Sequence, residues 1–125
     1  MAVILARGIL RREFGGEVHD DAHEVLLRAA RTDLATPIGG TGLPPGTRLL
    51  KAYATSKGGA RRIVFLLSTQ DGDLFLLFYR GKNDRIGRNI TIRNPEFKKQ
   101  LLKHLDILRD DIETGNFDIL TQETT

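Results

Sequence analysis

Arg61-Arg-Ile-Val-Phe-Leu-Leu-Ser68, Thr69-Gln-Asp-Gly72 and Asp73-Leu-Phe-Leu-Leu-Phe-Tyr-Arg80 follow one another without interruption. Two apolar runs rich in β-branched and aromatic residues are joined by a short polar link ending in Asp-Gly, a strong hairpin signal. The apolar centres are continuous rather than alternating, which predicts strands buried on both faces. Just upstream, Arg48-Leu-Leu-Lys-Ala-Tyr-Ala-Thr55 supplies a third strand and Ser56-Lys-Gly-Gly-Ala60 its turn. Together they predict an antiparallel meander.

Working outward to the N-terminus, residues 2–6 are apolar and predict a short strand. Ile9 to Phe14 predicts a helical turn, which Gly15-Gly16 interrupts. A longer helix follows. Asp20 or Asp21 caps it, and Glu24 stands three residues after Asp21 as in a capping box. Ala22, Val25, Leu26, Ala29 and Ala30 recur at helical steps. The segment Asp33 to Pro37 ends it, and residues 37–46 read as a loop rich in glycine and proline.

Toward the C-terminus, residues 81–93 are polar and irregular, anchored by Ile86, Ile90 and Ile92. Asn94 is a good N-cap and Pro95 suits the first helical position. Phe97, Leu101, Leu102, Leu105, Leu108 and Ile112 form the apolar stripe of a closing helix, which Gly115 stops. Phe117 to Leu120 packs back or adds an edge strand, and the last five residues read as frayed. The expected fold is α+β in a single domain, residues 1–125: an N-terminal short strand and helical segments, an antiparallel strand meander and a C-terminal helix.

A chain of 125 residues is long enough for one core. Without cysteine it has neither disulfides nor a thiolate nucleophile. No apolar run approaches the roughly 18 residues of a membrane span. The apolar start is short for a signal peptide and lacks a leading basic segment. These features give the expectations of a cytoplasmic location and no membrane partner.

The net charge of +3 is unevenly placed. Residues 44–103 hold thirteen Lys or Arg against four Asp or Glu, residues 1–43 hold five against six, and residues 104–125 hold one against six. Such polarity suggests an anionic partner for the centre, with nucleic acid first; the alternative is a basic surface that is merely solvated. Arg48, Lys51, Lys57, Arg61, Arg62, Arg80, Lys82, Arg85, Arg88 and Arg93 surround the three strands, whose ends and turns converge in a meander. Lys51 and Tyr53 share a strand face, and Tyr79 offers a ring for base stacking. Arg62 opens an apolar strand, where a fixed guanidinium can stabilise a phosphorane-like transition state; its alternative is a salt bridge to Asp84, Glu96 or another acid. The acidic stretch Asp106 to Glu113 reads as a solvated helix face that repels RNA from that side.

His19 and His23 are four apart beside Asp20, Asp21 and Glu24, but no further His or Cys cluster completes a metal site. No metal or other cofactor is therefore expected. His104 lies among charged neighbours and reads as an acid or base or, more commonly, as a solvent-facing histidine. Gly39-Gly-Thr-Gly42 fits neither a P-loop nor a dinucleotide fingerprint, and no G-x-S-x-G elbow is present.

The order of elements resembles the RelE/ParE superfamily of bacterial toxins. Ile38-Gly-Gly-Thr-Gly-Leu43 resembles the glycine-rich approach to the central strands in one branch. Ser56-Lys-Gly-Gly-Ala-Arg-Arg-Ile-Val-Phe65 resembles the turn-and-strand signature, and Gly81-Lys-Asn-Asp-Arg85 the basic segment after the apolar strand. The resemblance implies a RelE-like toxin of a type II toxin–antitoxin pair that cleaves mRNA, usually on the ribosome, and inhibits translation. In that chemistry the RNA 2′-OH attacks the adjacent phosphate. The implied catalytic residues are Arg62, Lys82, Arg85 and Lys51, and the expected RNA contacts, taken from the basic set and its aromatic ring, are Arg48, Lys57, Arg61, Tyr79, Arg80 and Arg88. A cognate antitoxin is the implied protein partner. The sequence departs at Asn83, where the family often has arginine, and no tyrosine follows residue 86. These departures leave the general acid and base unassigned. They also keep two alternatives open, a ParE-like gyrase inhibitor without nuclease activity and a non-catalytic RNA- or partner-binding module.

Overall fold

Ile63 and Phe65 enter one hydrophobic core while Val64 and Leu66 enter another, so the central strand divides its apolar run between two faces. The computed structural model describes residues 2–15, 18, 21–31, 35–39 and 42–120. The order is β1 (Val3–Ala6), α1 (Arg7–Phe14), α2 (Ala22–Arg31), β2 (Thr36–Ile38), β3 (Thr47–Ser56), β4 (Gly59–Ser68), β5 (Leu74–Gly81), α3 (Pro95–Glu113) and β6 (Phe117–Leu120). The chain is α+β, with one mixed sheet ordered β2-β3-β4-β5-β1-β6. The expectations on His19, Asp20, Asp33, Gly16, Gly40, Thr41 and residues 121–125 fall outside the described residues.

The three meander strands pair antiparallel. The first turn is tighter than expected, because Ser56 already faces Gly59 and only Lys57 and Gly58 lie between them. Two strands extend the meander beyond its sequence signal. β1 lies parallel to β5, and β6 pairs antiparallel with β1. On the opposite edge, β2 pairs with β3 inside the segment expected to be a loop. Proline normally argues against a strand, but at a sheet edge its missing N–H costs no ladder bond.

On one face, Val25, Leu26 and Ala29 of α2 pack over Ile63, Phe65 and Leu76. On the other, Phe97, Leu101 and Leu108 of α3, with Ile86 and Ile90, cover Val64, Leu66 and Phe78. Leu102, expected in the α3 stripe, is 49% exposed. The short α1 lies beyond the end of β1 and sends Ile9 into one core and Leu10 into the other.

The acidic stretch of α3 is not uniformly solvated. Asp106 and Asp110 are exposed, but Asp111 Oδ2 accepts from the Gly8 N–H at 2.7 Å, so α3 ties down the first turn of α1.

α3 begins as its sequence predicts. Asn94 Oδ1 accepts from the Glu96 N–H at 3.1 Å, its Nδ2 donates to the Asn89 carbonyl at 2.9 Å, and Pro95 follows. Asn94→Ala is expected to cost about 1–2 kcal/mol, read as a lower urea midpoint at unchanged m-value.

The strand β5 carries one irregularity. Val64 pairs with Phe78 but Phe65 pairs with Leu76, leaving Leu77 as an extra residue. Such a bulge reverses the alternation of faces. Leu77 and Phe78 therefore both enter the α3-side core, and Tyr79 turns to the α2 side. Two backbone groups beside the bulge are met by side chains. His104 contacts the Leu77 carbonyl through Nδ1 at 2.8 Å, and Glu13 Oε1 accepts from the Tyr79 N–H at 2.8 Å.

Candidate nucleic-acid interface

Lys51 and Tyr53 on β3 and Arg62 on β4 share the α3-side face, and the ladder sets Tyr53 directly opposite Arg62. This end of the face lies past the apolar cover, and Tyr53 is 54% exposed. The Lys51 ammonium lies 5.5 Å from the Tyr53 ring centre and the Arg62 guanidinium 5.3 Å from it. Both fall within cation–π range. Lys82, just past β5, helps line the same shallow depression of about 230 Å³ with Tyr53, Thr55, Arg61 and Arg62. Among the described residues no carboxylate forms an ion pair with Lys51, Arg62 or Lys82. Arg62 Nη1 instead donates to the Gly87 carbonyl at 2.9 Å.

The other expected residues are placed differently. Tyr79 is only 8% exposed and packs on Phe14 with ring centres 4.9 Å apart. Burial pushes its phenol pKa up, partly offset by Arg61. The bulge has turned it away from Tyr53, and in this arrangement its ring is closed to a stacking base. The expected aromatic platform is Tyr53 instead.

Arg61 points to the α2 side, 5.6 Å from the Tyr79 ring, and donates to Ser56 Oγ at 3.0 Å. Arg80 bonds the carboxylate of Glu13 through Nε at 2.8 Å and Nη2 at 2.7 Å, and reaches Asp84 at 3.3 Å. Desolvation alone would lower the Arg80 pKa, but these two carboxylates raise it. Its charge is thereby compensated. Arg85 is paired with Glu96 at the start of α3. Arg48 lies toward the opposite end of β3, five residues from Tyr53, or about 16 Å at the usual rise of a strand. Lys57 is exposed in the β3–β4 turn, where its N–H donates to Asp21 at 2.6 Å. Arg88 is exposed one residue past Gly87, and Arg93 is exposed just before the α3 cap.

Sequence reading missed Glu13. Its side chain is 0% exposed, although nothing near it in the chain marks it as buried. It also missed the burial of His104, which is 0% exposed and stacks on Phe78 with ring centres 4.5 Å apart. Arg12 Nε donates to His104 Nε2 at 3.1 Å, so the ring proton sits on Nδ1 and is given to the Leu77 carbonyl. Burial pushes the His104 pKa down, reinforced by Arg12 and Arg80 and opposed by Glu13 and the Leu77 carbonyl. A histidine with a depressed folded-state pKa stabilises the fold fully above the unfolded value near 6.5, and that contribution is lost as pH falls. The melting temperature is therefore expected to drop below about pH 6.5, and His104→Gln is expected to flatten the drop. Equal slopes for the two proteins would show that another group sets it.

Larger depressions of about 450 and 600 Å³ lie beneath β6 and beside α3. Leu5, Leu10 and Ile119 line the first, and Leu43, Leu102 and Leu105 the second, so neither gathers uncompensated cations. Among the described residues no group of three or more His, Cys, Asp or Glu is placed to hold a metal, and no helix is long and apolar enough to cross a membrane. No protein-family model, curated protein or solved structure matches the chain.

Proposed function

We propose that this chain is a RelE-like toxin of a type II toxin–antitoxin pair, acting in the cytoplasm as an endoribonuclease on mRNA. The observation that carries the reading is the convergence of Lys51, Arg62 and Lys82 around the exposed ring of Tyr53, with none of the three paired with an acid among the described residues. A phosphodiester supplies the negative charge such a cluster lacks, and a neighbouring base supplies a face for the ring. The 2′-OH gives up its proton as its oxygen attacks the adjacent phosphorus, a new P–O bond forms, and the bond to the 5′-oxygen breaks as that oxygen takes up a proton, leaving a 2′,3′-cyclic phosphate and a 5′-hydroxyl. Arg62 stabilises the charge that builds on the phosphoryl oxygens, while Lys51 and Lys82 hold the flanking backbone. Arg80, already compensated by two carboxylates, shapes the site rather than binding RNA directly, and the exposed Arg85 meets RNA by exchanging its contact with Glu96. A cognate antitoxin covers the basic surface until it is removed.

The test is purified protein incubated with a defined transcript, with and without ribosomes, beside Arg62→Ala of verified fold. Cleavage by the wild type that the variant loses supports the reading. An intact transcript under both conditions, together with inhibition of DNA gyrase, would move the chain to the ParE-like alternative. Growth arrest on expression, relieved by the product of an adjacent small gene, tests the toxin role independently of mechanism.

A further inference from the structure

The cations at this end of the sheet are tethered in two ways. Arg80 is held by the carboxylates of Glu13 and Asp84, which fix it and compensate its charge, while the exposed Arg85 is paired with Glu96. Arg62 is held by a neutral carbonyl, that of Gly87. A carbonyl orients a guanidinium while leaving its positive charge available to a substrate. The direction in which Arg62 points therefore depends on what fixes Gly87.

Gly87 is fixed from two sides. Its Cα packs so closely on the Gly81 backbone that an added Cβ would stand 2.2 Å from the Gly81 oxygen. From within the turn, Asp84 Oδ2 accepts from the N–H groups of Ile86 at 2.9 Å and Gly87 at 3.1 Å. The Asp84 N–H donates to the Gly81 carbonyl at 3.1 Å, and its own carbonyl accepts from the Arg88 N–H at 2.9 Å. The carboxylate is also bound to Arg80, which buried Glu13 anchors to α1. One connected set of bonds thus runs from α1 through Arg80 and Asp84 to Gly87 and ends on Arg62.

We propose that Asp84 is a positioning residue that aims the Arg62 guanidinium at the scissile phosphate through the Gly87 carbonyl. The inference rests on the endoribonuclease reading for its substrate but not for its geometry. Asp84 touches no substrate; it sets the turn whose carbonyl sets Arg62. Burial would raise the Asp84 pKa, but the Gly87 and Ile86 amides and Arg80 outweigh it and hold the carboxyl below its ordinary value. The carboxylate thus stays charged at neutral pH.

The experiment compares the full chain with Asp84→Ala, Asp84→Asn, Arg62→Ala and the Arg62→Ala/Asp84→Ala double variant in RNA cleavage. Nitrogen–proton spectra of the arginine guanidinium groups run alongside. Asp84→Ala is expected to lower kcat on the order of tenfold to a hundredfold while leaving KM nearly unchanged. Asp84→Asn, which keeps an acceptor oxygen for both amides, is expected to recover most of that loss. In the Arg62→Ala background Asp84→Ala is expected to cost nothing further, because its effect passes through the missing side chain.

In the spectra, wild-type Arg62 is expected to show a restrained guanidinium, unlike exposed Arg48 and Arg88, and the restraint is expected to vanish in Asp84→Ala. Equal losses in both backgrounds, or an Arg62 signal that Asp84→Ala leaves unchanged, overturn the proposal. A freely averaging Arg62 in the wild type overturns it even if Asp84→Ala does not fold. A wild type that leaves RNA intact defeats the endoribonuclease reading, and the spectra still decide whether Asp84 positions Arg62.

Discussion

Glu13→Ala is expected to remove about 3–5 kcal/mol from the folding free energy, a large part of the 5–15 kcal/mol typical of a domain. The Glu13 side chain has no exposed surface, and Arg80 keeps only 24% of its own. Truncating the carboxylate deprives the guanidinium of its two shortest bonds, leaving Asp84 as its remaining acid. It also removes the acceptor of the Tyr79 N–H beside the bulge. An unmet buried donor adds about 1–3 kcal/mol to the loss of charge pairing, and the two costs overlap. Replacing both charged partners with methionine is expected to cost less than the single change, because no buried charge is then left alone. Urea unfolding at constant m-value checks both variants. A loss below about 1 kcal/mol for Glu13→Ala, the range of an exposed ion pair, would mean that the pair does not secure this part of the fold.

Arg62→Ala is expected to lower RNA cleavage by roughly a hundred- to a thousandfold, the cost of removing one oriented donor from a developing charge. The same change is expected to leave stability within about 1 kcal/mol, since one hydrogen bond to the Gly87 carbonyl and a ring contact are what the fold loses. The split between the two numbers carries the argument: a residue that serves packing loses stability and activity together. Arg62→Lys keeps the charge but not the planar fork of donors, and is expected to recover only a small part of the rate. Single-turnover kinetics on one transcript, with denaturation curves for the same preparations, measure both quantities.

The meander and the closing helix were legible because their signals are local. Ile63 to Leu67 and Leu74 to Phe78 are apolar on both phases of a strand, and Asn94-Pro95 marks a helix start whatever surrounds it. β2 was not legible because Pro37 carries a loop signal that its edge position makes harmless. Glu13 was missed and His104 misread for a different reason. Each is buried by partners far off in the chain, Glu13 by Arg80 and His104 by Leu77 and Phe78. Each follows a charged residue, Arg12 or Lys103, and is itself a polar type that rarely enters a core.

The basic surface was half legible. Composition located the cations between residues 48 and 93 but not the acids that cancel some of them. Arg80 and Arg85 are set apart from Arg62 by Glu13, Asp84 and Glu96, of which only Asp84 stands near its arginine in the sequence. Tyr79 was taken for a base-stacking ring, and its burial on the α2 side was not legible because strict alternation fails at Leu77, whose lack of a ladder partner shows only in the register.

That one extra residue also bears on how the strand tolerates a change of length. Phe78, Tyr79 and Arg80 take their sides of the sheet from their ladder partners Val64, Ile63 and Arg62, because cross-strand partners share a face. Loss of the Leu77 codon would leave Leu76 opposite Phe65 and Phe78 opposite Val64, a regular alternation with Tyr79 and Arg80 where they stand now. What the molecule would forfeit is an apolar side chain of the α3-side core and the carbonyl that His104 meets. A one-residue deletion at the bulge is therefore a change of length that both faces of the sheet can absorb.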